Sequence, residues 1–394
     1  MIEAYIIDAK RTASGKANKG SFRYTYPDSL AAEVIKHLMA NSPSIEPSRI
    51  DDVIMGCAFP EASQGLNIAR NIALLAQLPD TVPGMTVNRF CSSGLQTITM
   101  AAERIMVGGA DVIIAGGVES MSMVPMGGMS VQPNPDIMDR RPEIYISMGL
   151  TAENLASKYN ISRDAQDQFA YQSHQKAVSA WENGVFNAQI TPVTVIHQYV
   201  SVDGDVIENS QEFKIDEGPR ADTSFELLNK LRPVFKMKGT VTAGNSSQMN
   251  DAASAVLLVS GEVVRELALE PMARYVSYQV AGVAPEMMGI GPVEAIPKAL
   301  SKAGLKLRDI DLIELNEAFA VQSLAVIQEM NLNEDIVNIN GGAIAMGHPL
   351  GCTGAKLTTQ LLYDLKVSKK KYGMVTMCIG GGMGAAGIFE NLQN

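Results

Sequence analysis

Disulfide frameworks, membrane spans, basic tracts and low-complexity segments are all missing from this chain. It holds 4 cysteines in 394 residues, Cys57, Cys91, Cys352 and Cys378, far apart and without a Cys-x-x-Cys pair. That spacing excludes a small disulfide-stapled fold and a zinc ribbon, and suggests free thiols in a reducing compartment. No stretch approaches the roughly 20 apolar residues of a bilayer-crossing helix. The opening Met-Ile-Glu-Ala-Tyr-Ile-Ile-Asp carries acids inside a short apolar run and has no cleavage pattern, so it reads as a first strand rather than a secretion signal. Positive charge is in the minority, with 32 Lys and Arg against 42 Asp and Glu and a net charge of −10. Such a surface repels polyphosphates at long range, and no basic patch interrupts it, which argues against a nucleic-acid role. A soluble, cytoplasmic protein without membrane insertion is the expectation.

What is present is a globular composition: 46% hydrophobic residues, 19% charged residues and 34 Gly, in a chain long enough for two or three domains. A weak internal repeat is visible. A helical spacing over residues 29–39 leads into the strand Ile50-Asp-Asp-Val-Ile-Met-Gly56, and residues 293–303 lead likewise into Ile310-Asp-Leu-Ile-Glu-Leu-Asn316. The strand over residues 111–117 has its counterpart in residues 373–381. Strands alternating with amphipathic helices predict an α/β fold of two repeated halves, each with a parallel-rich sheet covered by helices. Residues 120–250 break this rhythm and are expected to form an inserted loop domain. The expected division is 1–119 with 251–270 for the first half, 120–250 for the insertion, and 271–394 for the second half. Within the insertion, residues 151–183 read as one helix whose polar Gln166, Gln168, Gln172 and His174 make it a partly exposed cover. His174 and His197 are expected at the surface.

Three segments carry chemistry. Thr86-Val-Asn-Arg-Phe-Cys-Ser-Ser-Gly-Leu95 begins as a strand and ends as a helix with Leu95, Ile98, Ala102, Ile105 and Met106 on its apolar face. Cys91 falls at the helix start, where N–H groups and the helix dipole should lower its pKa and favour the thiolate. Without such context a lone cysteine is usually a small buried hydrophobe. The run Asn338-Ile-Asn-Gly-Gly-Ala-Ile-Ala-Met-Gly-His-Pro-Leu-Gly-Cys-Thr-Gly354 frames His348 with turn glycines that let backbone approach a ligand. Met377-Cys-Ile-Gly-Gly-Gly-Met-Gly-Ala-Ala-Gly387 places Cys378 where a buried strand enters a glycine turn whose bare N–H groups suit an oxyanion. It lacks the Gly-Lys-Ser/Thr ending of a phosphate loop and the acidic strand end of a dinucleotide site. A fourth piece, Leu315-Asn-Glu-Ala-Phe-Ala320, puts Asn316 at a strand end and Glu317 just inside a helix, where the pair reads in isolation as a cap.

Together these segments resemble the thiolase family from the opening strand to the last residues. The resemblance rests on Asn88-Arg-Phe-Cys-Ser-Ser-Gly, Asn-Glu-Ala-Phe, Gly-Gly-x-Ile-Ala-x-Gly-His-Pro-x-Gly and Cys-x-Gly-Gly-Gly-x-Gly, in the family's order. It implies that Cys91 carries an acyl group, that His348 takes its proton, and that Cys378 is the acid/base at the α-carbon. It also implies one oxyanion site from His348 and an Asn316-bound water, and another from the N–H groups of Cys91 and Gly380. Coenzyme A would be a co-substrate, with no permanently bound cofactor and no metal. A zinc cluster of Cys91, His348 and Cys378 would leave its fourth ligand unexplained.

The resemblance further implies Arg220 as an adenine or phosphate contact, Phe235 and Ala243 as the pantetheine wall, and Ser247 as a hydrogen-bond partner. Met148, Met288, Ala318 and Phe319 would line the reactive end. Family members devoted to acetoacetyl-CoA often carry His where Ser147 stands, and Cys-Ser-Ser-Gly-Leu-Gln looks more like the degradative type. The expectation is therefore a 3-ketoacyl-CoA thiolase of β-oxidation type, with an acetoacetyl-CoA-forming acetyltransferase as the alternative and a catalytically silent CoA-binding scaffold less favoured. A homodimer or homotetramer and a β-oxidation partner enzyme are also implied.

Overall fold

A computed structural model describes residues 2–393, without the side chains of His197 and Tyr199. The first half runs β1 (Ala4–Arg11), β2 (Gly15–Lys16), α1 (Pro27–Asn41), β3 (Asp52–Gly56), α2 (Ile68–Leu75), β4 (Gly84–Val87), α3 (Ser93–Met106) and β5 (Val112–Ser120). Next come α4 (Pro135–Arg140), α5 (Met148–Tyr159), α6 (Arg163–Glu182), the hairpin β6 (Val193–Val200) and β7 (Val206–Phe213), and α7 (Phe225–Asn229). The chain then returns through β8 (Asn250–Ser260) and α8 (Gly261–Glu266). The second half runs β9 (Ala273–Gly282), α9 (Gly291–Ala303), β10 (Leu312–Leu315), α10 (Ala320–Met330), α11 (Ala343–Met346), α12 (Leu350–Ser368), β11 (Tyr372–Ile379) and β12 (Met383–Asn391).

The repeat is a repeat of pairing. β5 lies parallel to β3 and antiparallel to β8, which is antiparallel to β1. In the second half β11 lies parallel to β10 and antiparallel to β12, which is antiparallel to β9. The fold is α/β, but the sheet is mixed rather than parallel-rich in each half. The halves are also not separate sheets: a short β1–β9 pairing at Tyr5 and Ile6 joins them into one order, β10-β11-β12-β9-β1-β8-β5-β3-β4, with β2 on β8. Hydrophobic pattern cannot distinguish a parallel from an antiparallel neighbour when both faces are buried.

Both faces are indeed buried, and period-two alternation sorts their side chains. In β5, Val112, Ile114 and Val118 join the core under α1 and α2, while Ile113 and Ala115 face the core shared by α3 and α12. In β11, Met374 joins the core under α9, while Val375, Met377 and Ile379 face α3 and α12. Thus α3 and α12 lie between the two halves of the sheet. Their backbones approach closely because Gly94 has no Cβ; one there would stand 2.7 Å from the Ala355 nitrogen. This central layer brings the start of each helix, and the chemistry placed there, to one locality.

The helix expected over 151–183 is two helices. Asn160, at φ 55°, ends α5, and Ser162 caps α6 by accepting from the Ala165 N–H at 3.1 Å. The side chains on α6 also depart from expectation. Gln168 and Gln172 are exposed, but Gln166 and His174 are buried. His174 is not a surface residue: its Nδ1 accepts the Arg220 N–H at 3.2 Å, and burial pushes its pKa down to about 4. The expectation for the His197 side chain lies outside the described residues.

Candidate active site

Cys91 sits in a short 3-10 turn, Phe90–Ser92, that feeds directly into α3. Phe90 adopts φ 44°, a conformation that is strained for an aromatic residue. Local bonds hold it there: the Phe90 N–H donates to Asn88 Oδ1 at 2.8 Å, the Asn88 amide donates to the Ala58 carbonyl at 2.9 Å, and the Ser93 hydroxyl donates to the Phe90 carbonyl at 2.7 Å. The turn presents the Cys91 sulfur to two backbone N–H groups, its own and that of Gly380. Residues 289 positions apart in the chain therefore form one donor pair around one sulfur.

His348 and Asn316 form a second pair. His348 enters the site between α11 and α12 and is held through its backbone, whose N–H donates to the Gln248 carbonyl at 2.9 Å. Its Nε2 is 3.4 Å from Asn316 Nδ2, and its Nδ1 is 2.6 Å from Thr353 Oγ1. Asn316 follows β10, is fully buried, and leaves its side-chain oxygen without a hydrogen-bond partner. A buried orphan acceptor is costly and suits a bound water or substrate group. Cys378, near the end of β11, is 1% exposed, and burial together with the nearby Cys91 charge raises its thiol above the ordinary range.

Cys378 shares an apolar cluster with Met288, Ala318 and Phe319, against which Met148 packs. Gly380 borders the same space: a Cβ there would make ordinary contacts, 3.6 Å from Phe90 and 3.8 Å from the Met148 sulfur. Phe235 meets Phe319 edge-on at 6.1 Å and is 40% exposed at the rim, and the Ser247 N–H donates to the Ala318 carbonyl at 3.0 Å. Ala243 and Arg220 are exposed on connecting segments. The structure thus gathers the reactive-end candidates closely, whereas the Arg220 N–H is bonded to His174 on α6.

The family model for the thiolase N-terminal domain matches residues 4–262, and that for the thiolase C-terminal domain matches residues 269–391. The chain belongs to the thiolase family. A 3-ketoacyl-CoA thiolase of Bacillus subtilis is 54% identical over 390 residues, covering 99% of this chain and 100% of that protein. A 3-ketoacyl-CoA thiolase of Klebsiella pneumoniae is 46% identical, covering 100% of both chains. Among solved structures, the acetyl-CoA acetyltransferase of Bacillus anthracis superposes with a TM-score of 0.91 at 40% identity, covering 100% of this chain and 99% of that one.

Two expectations for this thiolase need correction. The Cys91 thiol is not lowered: burial pushes it up to about 11, and the pull of the two N–H groups offsets only part of that. The sulfur is therefore protonated at neutral pH and requires a base. Glu317 is not the cap of a helix either. α10 starts at Ala320, whose N–H donates to the Asn245 carbonyl. The Glu317 carboxylate instead accepts from Ser173 Oγ at 2.7 Å, Asn338 Nδ2 at 2.9 Å and the Ile344 N–H at 3.2 Å, joining the insertion to the loop before His348.

Sequence reasoning also missed buried groups around the site. Glu119 accepts from the Ala58 N–H at 2.8 Å, Gln64 Nε2 at 2.8 Å and the Gly351 N–H at 2.7 Å, joining the first half to the start of α12. Lys356 donates at 2.9 Å to both the Met346 and Gly347 carbonyls immediately before His348. Neither residue lies in a motif segment whose spacing would single it out. Their partners come from across the fold, and only the Gly-rich run around His348 hinted that its backbone needed support. Among the described residues no group of three His, Cys, Asp or Glu is placed to hold a metal, and no helix is long and apolar enough to cross a membrane.

Proposed function

We propose that this protein cleaves 3-ketoacyl-CoA with coenzyme A, giving acetyl-CoA and a shortened acyl-CoA through an acyl-Cys91 intermediate. The observation that carries this reading is the Cys91 sulfur beside the N–H groups of Cys91 and Gly380 with the Cys378 thiol near it, together with the buried His348–Asn316 pair, 3.4 Å apart, on the segment whose Leu350 packs against Cys91. His348 takes the Cys91 proton, and the thiolate adds to the 3-keto carbon. The C2–C3 bond breaks, its electron pair leaves as the acetyl-CoA enolate, and Cys378 gives the proton that C2 needs. The two negative charges arise at different oxygens, one served by the N–H groups of Cys91 and Gly380 and one by His348 with a water on Asn316. The sulfur of coenzyme A then attacks the Cys91 thioester and displaces the Cys91 sulfur, which regains the proton held by His348, while the coenzyme A thiol proton restores Cys378.

The apolar cluster of Met288, Ala318, Phe319 and Met148 supports the role of these residues as the wall of the reactive end. Phe235, Ala243, Ser247 and Arg220 belong to the proposed coenzyme A path, which is a co-substrate path and not that of a resident cofactor. The names of the curated relatives favour the degradative reading, while the Bacillus anthracis neighbour keeps acetoacetyl-CoA formation as the alternative. We retain the division 1–119 with 251–270, 120–250 and 271–394, and place the protein in the cytoplasm as a homodimer or homotetramer serving β-oxidation beside a partner enzyme. Thiolysis measured with acetoacetyl-CoA and with longer 3-ketoacyl-CoA substrates tests the function. Turnover of the longer substrates is expected; activity on acetoacetyl-CoA alone would support the alternative, and no thiolysis at all would sink both.

A further inference from the structure

We infer that Thr353 is a positioning residue that fixes His348 as the tautomer with hydrogen on Nδ1, leaving Nε2 bare to receive the Cys91 proton. Thr353 lies in the first turn of α12 and is 1% exposed. Its Oγ1 is 2.9 Å from the Pro349 carbonyl oxygen and 2.6 Å from His348 Nδ1. A carbonyl only accepts, and the Thr353 hydroxyl is placed to donate to that of Pro349, which the Cys352 and Thr353 N–H groups also reach at 3.0 and 2.9 Å. A lone pair remains at Oγ1, and the partner it satisfies is an N–H on Nδ1. The other side of the ring selects the same form independently. Asn316 Nδ2, a donor, stands 3.4 Å from Nε2, so an N–H on Nε2 would face another N–H, whereas a bare Nε2 accepts.

Both neighbours therefore leave the lone pair on Nε2, and the 3.4 Å contact from Asn316 Nδ2 gives way as the Cys91 proton arrives. When the Cys91 S–H bond breaks, its hydrogen forms a new N–H bond at Nε2 and the electron pair stays on sulfur. The imidazolium that results keeps its Nδ1–H on Thr353, so this end of the ring needs no rearrangement. Lys356 is the charged group that acts on the ring, and two of its three N–H groups are occupied by the Met346 and Gly347 carbonyls. The catalytic consequence rests on the acyl-cysteine reading above; the tautomer itself rests on the geometry alone.

The test compares wild type, Thr353→Val and Thr353→Ser after selective 15N-histidine labelling, which gives a sparse spectrum because the chain has only 4 His. Nitrogen NMR reads which ring nitrogen carries hydrogen, and iodoacetamide reads the reactivity of Cys91. Wild type and Thr353→Ser should show the Nδ1–H form. Thr353→Val, which keeps the shape but strands the N–H, should lose that pattern and alkylate about tenfold more slowly or worse, with Thr353→Ser restoring the rate to within about threefold. An Nε2–H form in wild type would overturn the inference. So would a valine variant with an unchanged pattern and rate, or a serine variant as slow as valine. A wild-type protein with the Nδ1–H form but no thiolysis would instead defeat the functional proposal and leave the tautomer in place.

Discussion

Replacing Cys378 by serine should separate the two chemical steps assigned to the two cysteines. Two influences raise the Cys378 thiol, burial first and the charge of a Cys91 thiolate second. Cys91 is a neutral thiol at neutral pH and a neutral thioester once acylated, so burial is the influence that acts on Cys378 in both states. Serine preserves volume at this buried position, but its hydroxyl is a far weaker acid than a thiol. Proton transfer at carbon should fall by the usual worth of a positioned acid/base, roughly 10²–10⁴-fold or about 3–5 kcal/mol. Transfer of acetyl from acetyl-CoA to Cys91 breaks no C–H bond and should stay within about tenfold of wild type. Acid quench followed by mass spectrometry of the Cys91 peptide measures the first step, and NMR of methyl exchange in deuterated solvent measures the second. Loss of both steps would mean that Cys378 supports Cys91 structurally. Retained exchange would mean another base, and His348 would be the first suspect, because the Glu317 carboxylate is already engaged by Ser173, Asn338 and Ile344.

Removing the imidazole in His348→Ala should slow alkylation of Cys91 by iodoacetamide across roughly pH 5 to 9. Burial and Lys356 push the His348 pKa down to about 3, so the ring is neutral throughout that window and adds no inflection of its own. The wild-type rate should climb with pH toward the thiol's titration near 11. An unchanged rate in the variant would count against the pairing of His348 with Cys91. Gly94→Ala tests the central layer: its Cβ would stand 2.7 Å from the Ala355 nitrogen, and backbone cannot yield as a side-chain end can. Overpacking of about 1–3 kcal/mol should outweigh a helix-propensity gain of at most about 1 kcal/mol, lowering the urea midpoint. A variant as stable as wild type would refute the close approach of α3 and α12.

Much of the site could be read locally. The strand-to-helix turn at Cys91, the glycine-framed His348, the strand end at Cys378 and the position of Asn316 after its strand depend on neighbours in the chain, and each is where its segment placed it. Repeated strands and helices were legible for the same reason: alternation and helical spacing are properties of short windows. The motif resemblance then supplied roles that no single window carries.

Tertiary structure decided what depends on distant partners. The Cys91 thiol is raised rather than lowered because desolvation by the surrounding fold exceeds the effect of the local helix start. His174 is buried although its neighbours along the helix are polar, because the Arg220 segment covers it. Glu317, read locally as a cap, bonds instead to groups on α6 and in the loop before His348. The two expected sheets are one mixed sheet because β1 and β9, remote in sequence, meet edge to edge. Sequence fixes the kind of side chain and its local backbone. Dielectric surroundings, hydrogen-bond partners and strand neighbours arise only when the chain closes on itself.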